Sequence, residues 1–123
     1  METKPKIITI YVSKVAGKKK IKLRDSEGND PGNSNLTTLV NTGDTIKWEL
    51  DENSGLEAIM GIKKKWLSRQ LLKTKPTESK GVWTGTVIDV SPGKGKYEKY
   101  KIAYKIKNNN SRRWSDPKLQ MKN

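Results

Sequence analysis

An all-β sandwich is the fold class this chain predicts, and three observations predict it. Apolar and polar residues alternate with period two, most clearly at Tyr100, Ile102, Tyr104 and Ile106 with Lys99, Lys101, Ala103, Lys105 and Lys107 between them. That is the pattern of a strand buried on one face and wet on the other. Clusters of Gly, Asn, Asp and Pro at 28–35, 41–44 and 91–95, with a polar tip at 108–111, separate such runs; these residues take the tight-turn conformations that end strands. The 123 residues contain no internal repeat and no low-complexity linker. Many short strands joined by such turns therefore share one core, and residues 1 to 123 read as a single β-sandwich domain.

The elements follow in order. Strands are expected over Lys6 to Ser13, Lys19 to Arg24, Leu36 to Asn41 and Thr45 to Leu50, where Ile46, Trp48 and Leu50 alternate inward. Leu56 to Lys73 is ambiguous, because Leu56, Ile59, Met60, Lys63, Leu67 and Leu71 fall near helical spacing. Gly61 in mid-segment and lysines at 63 to 65 argue against one long helix, so the stretch divides into a strand to about Lys64 and one short helical turn over Trp66 to Leu72. Pro76 to Gly81 reads as a loop. Val82 to Val90 is the next strand, then the lysine-edged run through Lys107, and finally Lys118 to Lys122 with Leu119 and Met121 inward. The sheets are antiparallel or mixed.

Composition narrows the chemistry. With no His and no Cys, the chain lacks the usual zinc and copper ligands, the imidazole base and the thiol nucleophile. Neither catalysis nor a metal or other cofactor is expected. Only 32% of residues are hydrophobic and Phe is absent, so four Trp, four Tyr and the aliphatic residues carry the core. The run Ile7 to Val12 is too short for the apolar region of a signal peptide or for a membrane span. A soluble monomer is expected, with no compartment assigned. Charge is strongly lopsided: residues 1–62 hold nine basic and nine acidic side chains, while 63–123 hold seventeen and four, so the net +13 sits in the second half. Such a surface attracts polyanions or acidic protein surfaces.

Val40-Asn-Thr-Gly-Asp-Thr-Ile-Lys-Trp48 resembles the cupredoxin family, in which a Gly-Asp turn often leads into a strand with an inward aromatic. Pro92 to Tyr104 is similar to that family's penultimate strand, and Asp116 to Lys122 to its closing strand. The resemblance implies a cupredoxin-like, Greek-key topology. Blue-copper members hold their metal with two His and one Cys; here Glu57 stands where a His would be wanted, Tyr100 to Lys107 has no Cys, and Met121 has no partner ligands. The resemblance thus implies a copper-free domain without electron transfer.

Two candidate sites emerge. Lys99, Lys101, Lys105 and Lys107, about 7 Å apart along one strand face, with Arg112 and Arg113, form a candidate polyanion-binding surface. The competing reading is a solvated sheet face, favoured because only four of 26 basic residues are Arg and no aromatic is expected among the lysines on that outer face. Trp66 after three lysines and Trp114 after two arginines are the candidate exposed rings for stacking a sugar or base, whereas Trp48 and Trp83 read as core. Other motifs carry less. Asp25 to Asp30 alternates oxygen ligands but has Leu36 at the twelfth position, so it reads as a turn. Ser115-Asp-Pro-Lys118 needs a helix that Pro117 opposes. Gly93-Lys-Gly95 is a hairpin turn rather than a phosphate loop. The sequence reading is a non-catalytic binding or scaffold module of unidentified partner, with polyanion binding and carbohydrate binding as the alternatives.

Overall fold

The computed structural model describes residues 4–65, 68–109 and 112–123, with Arg112 described in its backbone alone. Among these residues the chain forms ten strands: β1 (Ile7–Lys14), β2 (Ile21–Asp25), β3 (Thr37–Val40), β4 (Thr45–Leu50), β5 (Leu56–Lys64), β6 (Thr77–Ser79), β7 (Val82–Thr86), β8 (Tyr97–Ile106), β9 (Arg112–Ser115) and β10 (Lys118–Met121). The first sheet runs β2-β1-β4-β7-β6 and the second β3-β10-β8-β5, with β9 also paired to β8. Both sheets are mixed, since β1 lies parallel to β4 and β10 parallel to β3 while the remaining pairs are antiparallel. No helix in the described residues is long and apolar enough to cross a membrane.

Alternation decides what enters the core. Ile8, Ile10 and Val12 of β1 and Ile46 and Trp48 of β4 are fully buried from the first sheet, and Tyr100, Ile102, Leu119 and Met121 face them from the second. Trp48 and Tyr100 bridge the layers. Trp48 Nε1 donates to Tyr100 Oη at 3.1 Å, and their rings meet edge to face with centroids 5.5 Å apart, which satisfies the one donor the buried indole carries.

The turn before β4 is fixed by Asp44, whose buried carboxylate accepts the amides of Lys6 and Asn41 at 3.0 and 2.9 Å. Gly43 beside it has φ +81°, and a Cβ there would lie 3.1 Å from the Pro5 ring, so both the backbone and the close approach require glycine. Asp25 likewise holds a turn: its carboxylate accepts from the Glu27 and Asn29 amides, the Asn29 side chain and Thr38 Oγ1.

Four expectations need correction. The helical turn over Trp66 to Leu72 is not formed in its described part: 68–72 is irregular, Leu72 makes a bridge to Val87, and Ile88 N donates to Leu71 O; Trp66 and Leu67 lie outside the described residues. Near-helical spacing there had a different cause. Register shifts between Leu56 and Ala58 and between Ile59 and Gly61 interrupt β5, so its inward residues Leu56, Ile59 and Ile62 come at intervals of three. The loop Pro76 to Gly81 contains β6, joined to β7 by a two-residue turn at Lys80 and Gly81, both with positive φ. Finally, β7 ends at Thr86, and β9 occupies a segment where no strand was expected.

Candidate functional site

Because β8 alternates, its odd-numbered residues Tyr97, Lys99, Lys101 and Lys105 share the outer face of the second sheet, away from buried Glu98, Tyr100, Ile102, Tyr104 and Ile106. The neighbouring strands extend this face. Lys118 of β10 pairs with Lys99, Lys63 of β5 with Lys101, and Trp114 of β9 with Ala103, which in turn opposes Gly61. Two aromatic rings therefore stand among the lysines. Trp114, 40% exposed, has Lys101 Nζ 4.5 Å and Lys63 Nζ 5.5 Å from its centroid; Tyr97, equally exposed, has Lys118 Nζ at 5.0 Å and Lys99 Nζ at 5.9 Å. At these distances the ring quadrupole attracts each ammonium.

The six predicted polyanion residues divide. Lys99 and Lys101 lie on the face as expected. Lys105 shares it but is ion-paired to Glu57 at 2.8 Å, and Lys107 lies in the turn beyond the strand. Arg113 is a correction: it pairs with buried Tyr104, so alternation turns it to the opposite side of the sheet from the lysines, and its Nε is buried without a hydrogen-bond partner among the described residues. Arg112 pairs with Lys105 in the backbone register, and its side chain lies outside the described residues. Of the stacking pair, Trp114 is exposed as expected and Trp66 lies outside the described residues. Trp48 is core, whereas Trp83 is half-buried and donates to the Ile59 carbonyl at 3.1 Å.

The expectation that the outer face lacks aromatics is also overturned. Tyr97 belongs to the same alternation: extending the period back by one step from Lys99 places Tyr97 beside Lys99 and Lys101. Trp114 escaped because Pro117 hides the strand. β9 and β10 keep a single register against β8, Ile102 with Ser115 and Lys99 with Lys118, interrupted only at Asp116 and Pro117.

Two cavities flank this face. One, about 590 Å³, runs along β5 from Met60 to Lys64 and is walled by Leu72, Pro76 and Trp83. Glu98 borders it with its Oε1 accepting the Leu71 and Leu72 amides at 2.6 and 3.3 Å; burial raises its pKa above the ordinary carboxylate value, and those two hydrogen bonds partly oppose the shift. The other, about 390 Å³, lies between Lys18, Lys20, Asn33, Asn35, Tyr104 and Trp114.

No protein-family model matches the sequence, and no curated protein matches it. Among solved structures the chain is similar to an inclusion body protein, PixA, from Burkholderia cenocepacia J2315, with 16% identity and a TM-score of 0.56 over 98% of each chain. At that identity the likeness bears on fold alone, and it agrees with a two-sheet, all-β architecture.

Proposed function

We propose that this protein is a non-catalytic binding module without a resident metal, built on a cupredoxin-like, Greek-key sandwich, and that it holds a polyanion on the outer face of its second sheet. The cupredoxin resemblance is supported by the Gly43-Asp44 turn, which leads into β4 and the fully buried Trp48. The ligand assignment rests on one observation: exposed Trp114 and Tyr97 alternate with Lys63, Lys99, Lys101 and Lys118 on a single sheet face. Lysines alone would serve as solvated cover for the sheet. Rings among them add stacking surface for the planar or cyclic units of an anionic chain, which charge by itself does not supply. Lys99 and Lys101 are about 7 Å apart along β8, and neighbouring strands lie about 5 Å away, so with Lys63 and Lys118 the cations form a patch rather than a line.

The test replaces Lys63, Lys99 and Lys101 with Gln and compares heparin and single-stranded DNA retention with a control of equal charge, Lys22, Lys47 and Lys80 to Gln, drawn from the first sheet and its β6–β7 turn. Loss confined to the first set is expected, with a salt dependence shallower by roughly 0.7 to 0.9 per phosphate contact removed. Equal losses would reduce the effect to net charge and sink the assignment. Carbohydrate binding is the second reading, favoured by Trp114 bordering the cavity that Asn33 and Asn35 line; a neutral oligosaccharide retained independently of salt would select it.

A further inference from the structure

We propose that the open side of the sandwich is a second binding site, which takes an extended acidic peptide by adding it as a strand to the free edge of β5. Among the described residues β5 ends its sheet and pairs only with β8. The larger cavity follows five consecutive residues of that edge, Met60 to Lys64, and its far wall is Trp83 with the Leu72 to Pro76 segment. Trp83 already shows that edge groups of β5 face this space, since its Nε1 donates to the Ile59 carbonyl at 3.1 Å. The two bulges that interrupt β5 come earlier. From Gly61 to Lys64 the register with β8 is regular, so in this antiparallel pair alternate residues present their N–H and C=O to the cavity.

Charge selects the peptide. Lys63, Lys64 and Lys75 line the cavity, and none of them is in an ion pair among the described residues. Among the described residues Glu98 is the one carboxylate at the border, and one of its oxygens is held by the Leu71 and Leu72 amides. An incoming strand would turn alternate side chains outward, where acidic ones meet Lys63 opposite Lys101, and the others inward against Leu72, Pro76 and Trp83, with Lys64 and Lys75 adding positive charge to the same cavity. Edge lysines and bulges also discourage strand pairing. Here the bulges leave the regular stretch open, and the lysines repel basic partners while attracting acidic ones.

The experiment measures anisotropy of labelled ten-residue peptides in which Glu alternates with Val or Leu. Matched peptides carry Lys in place of Glu, or carry N-methyl groups on alternate amides. Binding of the acidic peptides alone is expected, with loss on N-methylation, because the ladder needs those N–H groups while the charge is unchanged. Lys64→Glu with Lys75→Glu should weaken binding roughly tenfold or more, and Trp114→Ala, on the polyanion face, should leave it intact. The proposal is overturned if no acidic peptide binds, if N-methylated peptides bind equally well, or if charge reversal changes nothing. Concentration-dependent self-association abolished by the same two reversals would assign the edge to a second copy of the chain and would also overturn it.

Discussion

The buried Trp48 and Tyr100 pair offers the most quantitative check on this core. Tyr100→Phe keeps the edge-to-face packing but leaves the Trp48 N–H, now fully buried and bonded at 3.1 Å to Tyr100 Oη, without an acceptor, at a cost of about 1–3 kcal/mol. Trp48→Phe removes the N–H and shrinks the ring. It should cost a further ~1 kcal/mol for a residual cavity of about 40 Å³, in addition to stranding the hydroxyl. In the double variant neither polar group remains to be stranded, and two phenyl rings still meet. Its loss should therefore fall short of the sum of the single losses by about 1–2 kcal/mol, well outside the ~0.3–0.5 kcal/mol within which independent sites add. Guanidinium unfolding followed by far-ultraviolet circular dichroism supplies the four stabilities without relying on the tryptophan being replaced. Additive losses would mean that the hydrogen bond contributes nothing and that only volume matters at this position.

Two further predictions concern charge. Burial raises the Glu98 pKa above its ordinary value of 4.5, so the folded state binds this proton more tightly than the unfolded one; stability is full below that value and declines as pH rises through the folded pKa. Glu98→Gln keeps an oxygen for the Leu71 and Leu72 amides and removes the charge, so its melting temperature relative to the parent should rise from pH 4 to pH 7; a difference that is flat or falls with pH refutes the desolvation argument. Titration with copper or zinc should leave the melting temperature unchanged at substoichiometric metal, because no His or Cys is present; a specific rise would contradict the metal-free reading.

How much was legible follows from the physics of each element. β4 and the centre of β8 were readable because strict alternation over six or more residues has only one common cause. β5 was not, since its two bulges convert a period of two into apparent steps of three, and a bulge depends on pairing with β8 that sequence does not display. β6 hid behind Lys80, which takes the left-handed conformation at the first position of the Lys80-Gly81 hairpin turn, where Asn, Asp or Gly normally announces one. β9 hid behind Pro117, although the register of β8 carries straight across that interruption. The same holds at the site: which side of the sheet Arg113 and Trp114 occupy follows from the register of β9 against β8, which Pro117 conceals in the sequence.

The two sheets use the same local device with opposite electrostatic results, and this contrast separates a structural role from a binding one. On the first sheet Arg24 stacks over Tyr11 at 4.1 Å, but its guanidinium is also held by both oxygens of Asp51 at 2.9 and 3.1 Å. The carboxyl of Asp51 is correspondingly held below its ordinary range by that guanidinium. Ring, cation and anion there form a closed set that presents little net charge. On the second sheet the lysines over Trp114 and Tyr97 have no carboxylate partner among the described residues, although Glu57 and Asp116 nearby engage Lys105 and Lys65. A face intended only for solubility would gain from the first arrangement, because like charges on adjacent strands repel when they stand directly opposite, as Lys63 and Lys101 do. Stacking on Trp114 spreads that repulsion without cancelling the charge. Four cations without a carboxylate partner among the described residues and two half-exposed rings on one sheet face are the combination an anionic chain with cyclic units would complete, and this is the argument for the proposed polyanion site over a solvated face.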